Sequence, residues 1–159
     1  MGSSLDSIHR DQGMIMAILG FIDDGQTLTR FIKGRARLWS DCRITFRATA
    51  PKDHAIVERK VKELYDRGKR AEAEEMVYET IAKRILRWDF LDDNGVPING
   101  APAVSADAIK RTVTGLQDRF IAIVYSGVDG GDPDPADEEQ STESARTHME
   151  ETEKNSMQP

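Results

Sequence analysis

An α+β fold is what the sequence predicts: a small N-terminal β element, either a hairpin or three short strands, then a mainly helical domain and a disordered acidic C-terminal tail. Three observations predict it. The segment from Arg43 to Thr49 alternates polar and apolar residues, the period of a half-buried strand. From Pro51 onward apolar residues recur at three- and four-residue spacing over two helix lengths. The last 33 residues contain no Leu, Ile, Phe, Trp or Tyr, so they cannot bury enough apolar area to offset the entropy of ordering them.

The 159 residues suffice for one domain. Charged residues are 31% of the chain, the hydrophobic set 38%, and the mean hydropathy is -0.55. The net charge of -6 is unevenly placed. Residues 1–126 hold 20 Lys and Arg against 18 Asp and Glu, whereas residues 127–159 hold 2 against 10. A nearly neutral body and an acidic tail are therefore expected, with residues 1–13 flexible, 14–126 a single domain, and 127–159 unstructured. The single cysteine, Cys42, excludes an internal disulfide and a multi-cysteine zinc site. The longest apolar run, Met14 to Ile22, is too short to span a bilayer and lacks the marks of an export signal, so no membrane partner and a cytoplasmic location are expected.

The elements follow in order. Met14 to Ile22 reads as a buried strand or one short helix. Asp23-Asp24-Gly25 is a turn, which makes Thr27 to Ile32 a return strand. Lys33 to Ser40 is a basic loop containing Gly34. In the next strand Ile44, Phe46 and Ala48 point inward, and Arg43 and Arg47 outward. Pro51 opens a helix, where its missing N–H costs nothing, with Val57, Val61, Leu64 and Tyr65 on one face and Gly68 as its C-cap. A second helix is expected from Lys69 to Arg87 with the stripe Ala73, Val77, Ile81, Ile85 and Trp88, the two forming an antiparallel hairpin. Trp88 to Leu91 breaks the pattern, and Asp92-Asp93-Asn94-Gly95 is a turn. Ser105 caps a short helix carrying Ile109 and Val113. Thr114 and Gln117 form a capping box for a last helix, with Leu116, Phe120, Ile123 and Val124 inward, ending at Gly127.

Chemistry is sparse. A Cys42–His54 nucleophile pair is conceivable, but an isolated thiol and an exposed histidine explain both residues. If Gly95 held the sixth position of a calcium loop, Phe90 and Ala101 would stand at its first and twelfth, and neither can be a ligand. The series Asp129, Asp132, Asp134 and Asp137 reads as a solvated linker rather than a calcium site. No catalytic residue, cofactor or metal is expected. One segment invites a binding role: Arg30, Lys33, Arg35, Arg37, Arg43 and Arg47 stand against Asp41 alone, with Trp39 and Phe46 interleaved. It reads as a solvated strand face, as a surface for a protein partner or the chain's own acidic tail, or as a nucleic-acid grip. The candidate partner-binding residues are Arg35, Arg37, Arg43 and Arg47, with Arg43 and Arg47 on the rim of any groove beside the β element.

The run Arg87 to Ile98, RWDFLDDNGVPI, resembles the tail assembly chaperones of long-tailed bacteriophages and prophages. The resemblance extends to Gly20-Phe21-Ile22-Asp23-Asp24-Gly25, to Arg43-Ile44-Thr45-Phe46-Arg47, to Leu116 through Val124, and to Gly131-Asp132-Pro133-Asp134-Pro135, covering roughly residues 20–135. It implies a non-enzymatic protein that coats the tape-measure protein, helps to recruit tail-tube subunits and leaves before the virion matures. The expected partners are thus the tape-measure and tail-tube proteins. Nucleic acid is disfavoured, and a homo-oligomer is compatible with the sequence. A structural virion component of the tail or connector is the alternative. Trp88, Phe90 and Ile98 are expected as core and turn anchors.

Overall fold

A computed structural model describes residues 25–137. The expectations for residues 1–24, including the strand or helix at Met14 to Ile22, and for residues 138–159 lie outside the described residues. The fold is α+β: a three-stranded antiparallel sheet of order β1-β2-β3, with helices packed on one face.

β1 (Thr27–Ile32) and β2 (Asp41–Arg47) form a hairpin. Their register sets Leu28, Arg30, Ile32, Cys42, Ile44 and Phe46 on one face and Thr29, Phe31, Arg43 and Thr45 on the other. The loop between them is closed by mutual backbone bonds of Arg35 and Trp39, and Gly34 N–H donates to Asp41 Oδ1 at 2.6 Å. Trp39 then packs on the last helical segment at Gly115, where a Cβ would come within 3.0 Å of its ring.

Pro51 stands in the first turn of α1 (Pro51–Asp66), as expected. That helix ends in a Schellman motif: Gly68, at φ 74°, donates to Tyr65 O, and Lys69 donates to Leu64 O. Only Val61 of its predicted face is fully buried, and Tyr65 is 46% exposed rather than inward. α2 (Arg70–Arg84) packs back on α1.

The expected helix to Arg87 is wrong by three residues. Ile85 turns extended, at ψ 120°, and Ile85–Leu91 is β3, paired with β2. The apolar stripe Ile81, Ile85, Trp88 stays in helical phase across this junction, so the local pattern favours helix. Pairing with β2 overrides it. Thr45 faces Arg87 and Phe46 faces Ile85, so Leu86 is bulged out at 47% exposure while Ile85 enters the core.

After β3, Asp92-Asp93-Asn94-Gly95 forms a turn, as predicted. Asp92 Oδ1 accepts from Asn94 N–H and Val96 N–H, Gly95 has φ 77°, and Ile98 N–H donates to Phe90 O. Trp88 is core. Ile98 anchors the turn by its backbone only, its side chain being 48% exposed.

Ser105 Oγ accepts from Ala108 N–H and caps α3 (Ala106–Lys110), as predicted. Lys110 pairs with Glu75 of α2. α4 (Thr114–Phe120) follows, then a π-helical turn (Ile121–Tyr125). The capping box is corrected. Val113 precedes the helix, and Gln117 Nε2 instead donates to the carbonyls of Ile109, Lys110 and Thr112, tying α3 to α4. Phe120, Ile123, Leu116 and Ile109 meet the inner sheet residues Ile32, Ile44, Phe46 and Trp88 in one core.

The boundary expected at residue 126 is also corrected. Residues 127–137 leave the π turn at Gly127, at φ 67°, and lie against β1 and β2. Their hold is polar and through the backbone, which composition does not reveal.

Candidate partner-binding site

The outer face of the sheet carries Phe31 of β1, Arg43 of β2 and Asp89 of β3 side by side. Phe31 is only 4% exposed although it points away from the helical core. The chain's own segment Asp129–Asp134 passes along the β1 edge there, from Arg119 on the helical side, near Asp129, to Arg43 on the outer face, at Asp134.

The docking is a single antiparallel bridge to the sheet edge. β1 is an edge strand, so its outward backbone groups are free to take a partner. Asp132 N–H donates to Phe31 O at 2.8 Å, and Lys33 N–H donates to Asp132 Oδ2 at 2.8 Å. Gly131 adopts φ 81°, and a Cβ on it would lie 2.7 Å from Phe31 O. Glycine is therefore required twice over, by backbone conformation and by close approach.

Charge fixes the rest. Arg43 donates from Nε and Nη2 to the two carboxylate oxygens of Asp134, both at 2.8 Å, a bidentate pair. Hydrogen bonding to Asp134 raises the Arg43 pKa, and Arg43 holds the Asp134 carboxyl below its ordinary range. The Arg43 guanidinium also lies 6.0 Å from the centre of the Phe31 ring. Arg119 of α4 stands 3.2 Å from Asp129 and 3.1 Å from Asp132, within ion-pairing distance although its N–H groups are not aligned for hydrogen bonds. The three aspartates thus face arginines rather than solvent, which corrects the solvated-linker reading.

The four candidate residues are not one site. Arg43 is in the docking surface. Arg35 is exposed in the β1–β2 loop, its guanidinium 5.7 Å from the Trp39 ring centre. Arg37 is exposed in that loop at φ 67°. Arg47 is exposed at the far end of β2, roughly 13 Å along the strand from Arg43. Sequence reasoning missed Phe31, Arg119 and the aspartates that meet them. Gly130-Gly131 followed by alternating Asp and Pro was the available signal, a segment able to approach another backbone closely.

The structure does not bring Cys42 and His54 together. Cys42 is fully buried beside Ile32 and Phe90, whereas His54 stands with Phe46 and Ala48 toward the other end of β2. His54 is half-buried rather than exposed, edge-on to Tyr125 at 5.0 Å. Burial pushes the Cys42 thiol up to about 12. The folded protein is therefore expected to resist thiol reagents at pH 8 and to react once unfolded. Between pH 9 and 12 the native thiol keeps a proton that the unfolded one releases, so stability falls as pH rises across that window. Tyr125, raised to about 12 by burial, adds to the fall from pH 10 upward. Cys42→Ala should flatten the component beginning near pH 9 in alkaline denaturation curves; an unchanged profile would show that the thiol contributes nothing.

Among the described residues no helix is long and apolar enough to cross a membrane. No protein-family model matches the sequence, and no curated protein or solved structure matches it significantly.

Proposed function

We propose that the chain is a non-enzymatic binding protein of the tail assembly chaperone type, acting in the host-cell cytoplasm. It receives an extended segment of a partner, the tape-measure protein or a tail-tube subunit, on the outer face and β1 edge of its sheet. The observation that carries this reading is the acidic segment already seated there by the antiparallel bridge at Phe31 and by the Arg43–Asp134 pair. A partner segment with the same acidic, extended character meets the same donors once the intramolecular segment gives way. The resemblance of the β3 hairpin run, Arg87 to Ile98, supplies the class of partner.

Co-expression with the product of a long helical reading frame next to its gene tests the reading. Co-purification is expected with the full chain. Asp132→Ala/Asp134→Ala, which loosens the resident segment, should strengthen it about tenfold, and Arg43→Glu should abolish it. No co-purification with either full chain sinks the proposal. Persistence of the protein in purified particles would favour a structural tail component instead.

A further inference from the structure

A cavity of about 400 Å³ opens on the side of the domain away from the docked segment's Arg43 contact, between the start of β1, the end of β2, the first turn of α1 and the π-helical turn. Its apolar wall includes Leu28, Phe46 and Val124, and its polar groups include Arg30, His54 and Arg84. That size and mixture are those of a small-molecule site.

Arg84 is the informative residue. It is the last residue of α2 and only 9% exposed, and its Nη1 donates to the carbonyls of Val124 and Tyr125 at 3.0 and 3.1 Å. Both bonds come from Nη1; Nε and Nη2 make none among the described residues and are not fully enclosed, and no carboxylate there pairs with the group. A largely buried guanidinium without a counter-charge is costly, and an anion placed beside it offsets that cost. His54 presents an unmet group, a buried Nδ1 with no partner among the described residues. Arg30, on the same sheet face as Leu28, adds a second positive charge. Asp129 also borders the cavity, but its carboxylate accepts from Gly131 N–H and lies against Arg119. Burial lowers the Arg84 pKa, in keeping with its uncompensated charge.

We propose that this cavity seats a carboxylate carried on a short apolar body, with Arg84 as its counter-ion. The inference does not require the partner reading, although Gly127, Asp129 and Gly130, at the start of the segment that a partner would displace, also line the cavity. A free aliphatic acid carries this chemistry.

Calorimetric titration of the full chain with octanoate and with 1-octanol decides, because the two share an apolar body and differ in charge. Octanoate is expected to bind at least about tenfold tighter than 1-octanol, with the preference lost in Arg84→Met. A preference in the unaltered chain supports the site. No preference overturns the proposal, as does a preference that survives Arg84→Met. Should Arg84→Met fail to fold, Arg30→Gln replaces it, with a weakened preference expected and an unchanged one counting against the site.

Discussion

Phe120→Ala is expected to cost about 3–5 kcal/mol of folding stability. The ring is fully buried in the centre of the core, 6.0 Å from the Trp88 ring, and reaches the inner sheet face from the last helix. Truncation removes the transfer free energy of a phenyl group and leaves a void between sheet and helices. Neither side can close it easily, because α4 is tied to α3 through Gln117 and the sheet is fixed by β2–β3 pairing. A domain of this size holds about 5–15 kcal/mol in all, so the variant forfeits a large share. Urea denaturation should show a lower midpoint with an unchanged slope. A loss under about 1 kcal/mol would mean that the helix does not anchor the sheet through this ring.

Gly131→Ala is expected to release the acidic segment while leaving the core intact. Alanine at φ 81° costs about 1–2 kcal/mol in the backbone alone, and its Cβ would sit 2.7 Å from Phe31 O, a contact neither backbone can absorb without moving. The bond from Asp132 N–H to Phe31 O and the one from Lys33 N–H to Asp132 fail together. Amide exchange at Asp132 and Lys33 should quicken roughly 30-fold, the equivalent of about 2 kcal/mol. Gly130→Ala is the matched control, since a Cβ there meets nothing within 4 Å. If both variants keep native protection, the segment is not held by the bridge to Phe31.

Much of the fold was legible where a residue has one physical use. Pro51 at a helix start, Gly68 past a helix end, Ser105 ahead of α3 and Asp92 heading a turn each stand where the sequence places them. β3 was not legible, because Ile85 and Trp88 fit a helical stripe as well as they fit a strand. The choice is made by β2, which is remote in sequence. The bulge at Leu86 hides the alternation further. The binding surface was half legible: Arg43 stands out as an outward charge on a strand, and a role for the acidic tail was among the readings of that basic run. Which aspartate meets it depends on a backbone path through Gly130 and Gly131 that no periodicity encodes.

The position of β3 has a consequence for timing. The middle strand, β2, has one neighbour supplied at once by the adjacent hairpin and another supplied only after the whole α1–α2 excursion has been traversed. Closing that long loop is the slow event expected of non-local strand pairing. The acidic segment comes later still and needs Arg119 from α4 as well as Phe31 and Arg43 from the sheet. It can therefore dock only on a domain that is already finished, and its protection from exchange would serve as a clock hand marking the end of folding.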